Sequence, residues 1–142
     1  MGTISANKCG GLALMLAPVI TLILYFLQPG GALIDAADPA DGAATIAAMV
    51  GNPGLGKITS VLIPLGLIAM SYGIYVLQAN IRASGNGDAL SRLGAIFFLV
   101  AAAGWMVASG ASLAIYGSTF SAQDSYQAYG SLYGATVGIG TI

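Results

Sequence analysis

Residues 93–116 read LGAIFFLVAAAGWMVASGASLAIY, and they lie inside a run of 31 residues between Arg92 and Asp124 that carries no formal charge. A charge at the bilayer centre costs at least about 2.5–3.5 kcal/mol on insertion scales, and about 20 apolar residues are needed to cross a hydrocarbon core about 30 Å thick. The stretch therefore reads as a membrane-spanning helix. Two earlier stretches, between Lys8 and Asp35 and between Lys57 and Arg82, are equally free of charge. Spans are expected over about 11–27, 58–79 and 93–116. The expected fold class is all-α: a multi-pass transmembrane helical bundle of three spans plus a possible fourth over 126–142.

Composition leads to the same class independently. Of the 142 residues, 57% are hydrophobic and only 6% charged, against roughly 25% charged in ordinary soluble domains. No stretch outside the spans is long enough for a water-soluble catalytic domain, which needs at least about 50 residues. A net charge of −1 supplies no basic surface for phosphate, so nucleic acid is excluded as a partner. One domain over 1–142 is expected, with other integral membrane subunits and lipids as its partners.

The first span exceeds the roughly 7–15 apolar residues of a signal peptide and is expected to be retained. Pro18 and Pro64 interrupt backbone hydrogen bonding inside the first two spans and imply helix curvature. Basic residues set the orientation, because Lys- and Arg-bearing loops stay on the cytoplasmic side. Lys8, Arg82 and Arg92 fall on one side. Lys57 falls on the other with Asp35, Asp38, Asp41 and Asp124. The N-terminus and loop 81–91 are therefore expected to be cytoplasmic, in the inner membrane of a prokaryote.

The loop over 28–57 is then external. Asp38-Pro39-Ala40-Asp41 reads as a helix start, with an acidic cap and proline at the first helical position. A short interfacial helix over about 39–50 follows, turning Ile46, Met49 and Val50 inward and ending at Gly51 and Pro53. Asp35, Asp38 and Asp41 form a weak candidate for a hard cation, since capping accounts for two of the three. Gly51 to Ile58 nearly matches the phosphate-cradling pattern G-x-x-x-x-G-K-[ST], but Ile58 occupies the hydroxyl position and no strand precedes it, so no nucleotide is expected.

Small residues supply the packing signals. Gly130, Gly134 and Gly138 recur every four residues, as do Gly104, Ala108 and Ser112, spacings that let helix backbones approach closely in lipid. These two faces are expected to meet each other and Gly66 and Gly73 of the second span, or to dock on another protein. Tyr126, Tyr129 and Tyr133 form a stripe suited to an interfacial aromatic belt. Near-identical Tyr-Phe-Leu-Gln and Tyr-Val-Leu-Gln endings of the first two spans are too short to establish a transporter-like inverted repeat.

Catalysis is disfavoured by inventory. The chain has no histidine and no glutamate, and its single Cys9 has no base beside it, so the usual general base, metal ligand and activated nucleophile are missing. Ser118, Ser121 and Asp124 could be gathered at the outer surface but likewise lack a base. No cofactor is expected. The sequence thus reads as a noncatalytic accessory or structural subunit of a larger membrane complex. The alternative is a small self-associating transporter or channel for a neutral solute.

Overall fold

The computed structural model describes residues 5–85, 87–117 and 121–140, with the side chains of 122, 125 and 136–140 outside that description. Five helices follow one another: α1 Ala6–Phe26, α2 Gly42–Gly51, α3 Pro53–Ser84, α4 Asp88–Tyr116 and α5 Ala122–Gly140. No strand is present among the described residues. Three helices, α1, α3 and α4, are long and apolar enough to cross a membrane.

Their ends overrun the expected spans. At 1.5 Å per residue, the 21, 32 and 29 residues of α1, α3 and α4 extend about 31, 48 and 43 Å. Helical hydrogen bonding is indifferent to where the apolar stretch stops, so the charged flanks stay helical. Lys57 sits in the second turn of α3, and Arg82 in its last. The expected loop 81–91 shrinks to a turn around Gly85 and Gly87, both left-handed at φ 80° and 77°, where glycine avoids the Cβ clash of that region. Asp88 and Arg92 then pair one helical turn apart at 3.0 Å.

The short loop helix begins one turn later than expected. Asp41, not Asp38, is the cap, its carboxylate accepting from the Ala44 N–H at 3.0 Å. Asp38 instead accepts from the Ala40 N–H at 2.9 Å, which turns the chain ahead of the helix. Only Asn52 separates α2 from α3, and Pro53 opens α3 at a position where its missing N–H is harmless.

Packing order follows chain order only in part. α1 lies on α3, α3 on α4, and α5 on α2 and α4. α1 and α3 run antiparallel: Gly10 meets Val76, Gly73 meets Leu14, and Gly66 meets Thr21. Asn80 donates to Asn7 at 3.4 Å where this pair ends. The start of α1, the end of α3 and the start of α4 therefore share one end of the bundle, which gathers Lys8, Arg82 and Arg92.

Large buried side chains collect at the opposite end. Ile46 and Met49 of α2 pack with Ile115 and Tyr116 of α4, and Val50, Tyr129 and Tyr133 border them. The long helices are otherwise turned outward, with only 11%, 22% and 11% of the apolar windows of α1, α3 and α4 buried. Met15 is 72% exposed, Tyr75 67% and Leu90 77%. Water would penalise so much exposed apolar surface, whereas hydrocarbon does not.

Candidate functional site

Close helix contact is the first chemically specific feature. Residues 10, 14, 17 and 21 of α1 follow a four-three-four spacing, and Gly66, Gly73 and Val76 of α3 face them. A Cβ on Gly10 would lie 2.7 Å from Val76 Cβ, and one on Gly73 would lie 2.6 Å from Leu14 Cγ and 2.9 Å from the Gly10 carbonyl. A Cβ on Gly66 would overlap the Thr21 hydroxyl. Without a hydrophobic drive in lipid, such close approach supplies dispersion contact that larger residues would prevent. Gly66 and Gly73 thus serve α1, not the third span or the tail. Gly10 and Ala17 carried the signal for this pairing in the sequence.

The remaining small residues are disposed differently. Gly104, Ala108 and Ser112 are half-buried on α4. Gly130 abuts the Tyr126 ring of its own helix, and a Cβ on Gly134 would meet nothing within 4 Å among the described residues. Gly138 belongs to the part of α5 whose surroundings lie outside the described residues. The tyrosine stripe of α5 covers α2: a Cβ on Gly42 would stand 3.3 Å from the Tyr133 ring and 3.4 Å from that of Tyr126. The Tyr133 hydroxyl donates to the Pro39 carbonyl at 3.5 Å.

Polar side chains serve local structure. Asp35 accepts from the Asn52 amide, while Asp38 and Asp41 hold separate backbone N–H groups. Among the described residues no three metal-ligating side chains gather. Ser121 caps α5, accepting from the Asp124 N–H at 3.3 Å and donating to its carboxylate at 2.7 Å. Ser118 lies outside the described residues. Thr59 and Ser71 donate to carbonyls of their own helix, Thr59 to Leu55 and Gly56 at 3.1 Å and Ser71 to Leu67 at 2.8 Å. Such back-bonding keeps a hydroxyl satisfied inside an apolar span.

Three buried hydroxyls have no hydrogen bond among the described residues: Thr21, Ser60 and Tyr116. The Tyr116 ring lies over Gly56, where a Cβ would overlap it. Its hydroxyl stands beside the Gln28 side chain without hydrogen-bond geometry.

A groove opens between α1 and α4. Its floor is Ile63, Leu67 and Met70 of α3, its first wall Pro18, Thr21, Leu22 and Tyr25, and its second wall Trp105. The volume is about 420 Å³. No Cα pair joins α1 to α4 within 8 Å among the described residues. The two walls meet through Tyr25 and Trp105, whose rings stand edge to face with centroids 5.6 Å apart. Such aromatic pairs contribute about 0.5–1.5 kcal/mol beyond their buried area.

Fold and site together define an all-helical bundle with three helices capable of crossing a membrane, joined by glycine-mediated contacts. Comparison with protein-family models, with curated proteins and with solved structures gives no match.

Proposed function

We propose that the chain is a noncatalytic accessory or structural subunit of a larger membrane complex, held to its partners through the outward face of α4. One observation carries the reading. Ile96, Val100, Ala103, Val107, Gly110 and Ala114 follow a heptad spacing along α4 and are all exposed, with nothing among the described residues within 4 Å of a Cβ on Gly110. Long side chains such as Leu12, Met15 and Leu16 of α1, or Leu93, Phe97 and Leu99 beside this row on α4, suit lipid. β-Branched and small residues in heptad register suit another helix, because they let a second backbone come close at little entropic cost. The absence of histidine and glutamate supports a role in packing over one in chemistry.

We read α5 with α2 as a cap on the bundle's outer end in place of a fourth span. Tyr126, Tyr129 and Tyr133 cover α2, and Asp124 lies in the first turn of α5. The cytoplasmic membrane of a prokaryote, with Lys8, Arg82 and Arg92 inside, completes the proposal.

Extraction of native membranes in mild detergent, followed by mass spectrometry, tests it. Integral membrane partners should co-purify, and Ala103→Leu with Gly110→Leu should release them while leaving the isolated chain as stable as before. A chain that leaves native membranes as a monodisperse monomer would overturn the proposal.

A further inference from the structure

We propose that the groove between α1 and α4 holds an acyl chain of a phospholipid from the leaflet nearer α2. Its position in the bundle sets the leaflet. Pro18 to Tyr25 spans seven residue steps, about 10.5 Å of helix, running from the middle of α1 toward the end that carries α2. That length matches much of one leaflet's share, about 15 Å, of the hydrocarbon core.

The shape of the groove disfavours a helix as the occupant. Its walls are bridged by Tyr25 and Trp105, and it runs only about 10.5 Å, two helical turns, without continuing as the long seam that a packed membrane helix needs. A flexible acyl chain can enter so short a groove from the lipid side. The lining surface is almost wholly apolar, as a hydrocarbon occupant requires. The groove is partly open toward the surroundings, which for this bundle are lipid. An empty groove there would forfeit the dispersion contacts of all three walls.

The site also carries its own reporter, because Trp105 is the only tryptophan in the chain. It lies on the side of α4 opposite Ala103 and Val107, two residues away in each direction, so it is remote from the face proposed to bind partners. The inference requires only that the bundle be in lipid and is independent of the proposed complex.

The full chain is reconstituted into vesicles of phosphatidylcholine or of the same lipid brominated part-way along its acyl chains, and Trp105 fluorescence is compared. Leu22→Phe and Leu67→Phe serve as groove-filling variants, each checked for an unchanged unfolding midpoint. Strong quenching of the native chain, mostly lost in at least one folded filling variant, is the expected result. Quenching unaltered in both variants would overturn the proposal, since it would then report only lipid sliding over the bundle surface. An unquenched native chain would overturn it too, as would Trp105 that is quenched after purification but protected by a bound protein partner in native membranes. Native mass spectrometry in detergent gives a second readout, in which the native chain should retain a phospholipid that the filling variants lose.

Discussion

Gly73→Ala is the sharpest test of how this bundle is held together. The added methyl would lie 2.6 Å from Leu14 Cγ and 2.9 Å from the Gly10 carbonyl oxygen, whereas ordinary contact begins at 3.4 Å. Leu14 can change rotamer. The Gly10 oxygen is backbone and cannot, so α1 and α3 must separate locally by about 0.5 Å. Overpacking of this kind costs about 1–3 kcal/mol. Alanine is also a better helix former than glycine by about 1 kcal/mol, which hides part of the effect. Gly94→Ala on α4 removes that ambiguity, because a Cβ there meets nothing within 4 Å and the propensity gain is the same. Unfolding in mixed micelles by SDS titration, followed through Trp105 fluorescence, should place Gly73→Ala below Gly94→Ala by about 1–3 kcal/mol, or 5- to 150-fold in the equilibrium constant. Adding Leu14→Ala should recover only part of the loss, since the backbone clash persists. Equal stability of the two alanine variants would refute the close-packed antiparallel pair.

Other substitutions probe other parts of the structure. In the same titration Gly56→Ala should be more damaging than Gly73→Ala, because its methyl overlaps the Tyr116 ring, while Tyr116→Phe should be neutral or stabilising by removing a buried hydroxyl that has no hydrogen bond. Asp41→Ala should cost about 1 kcal/mol by uncapping α2, read as faster amide exchange confined to residues 42–51. Asp88→Asn should change stability by less than about 1 kcal/mol, since the pair with Arg92 is solvent-facing, its two side chains 37% and 50% exposed. Cys9, exposed beside Lys8, should react with a membrane-impermeant maleimide only after cells are permeabilised; labelling of intact cells would reverse the proposed orientation.

Much of the architecture could be read before any coordinates. Charge-free stretches, each anchored by Lys8, Lys57, Arg82, Arg92 or an aspartate, determine that the chain forms long apolar helices, because backbone polar groups in lipid must pair within their own segment. Ile46, Met49 and Val50 were legible as the inner face of a short helix from their spacing alone. The cap was misplaced by one turn because Asp38 and Asp41 are both competent caps in sequence. In the structure Thr45 is buried beneath Gly30, and its hydroxyl donates to both the Asp41 carbonyl at 3.0 Å and the Asp38 carbonyl at 3.3 Å, which ties the turn at Asp38 to the helix that Asp41 caps.

Partner choice among the helices was decided only in three dimensions. A glycine at four-residue spacing states that a close neighbour can be accommodated, and says nothing of which neighbour. Gly66 and Gly73 met α1, because Gly10, Leu14, Ala17 and Thr21 present a complementary antiparallel surface, while Gly134 met no neighbour within 4 Å among the described residues. The groove beside Trp105 arises likewise from the spacing of α1 and α4 across α3, a distance that no local run of residues encodes. In lipid, apolarity places each helix in the membrane but does not choose its companions, since hydrocarbon tails are as apolar as leucine; shape complementarity makes that choice.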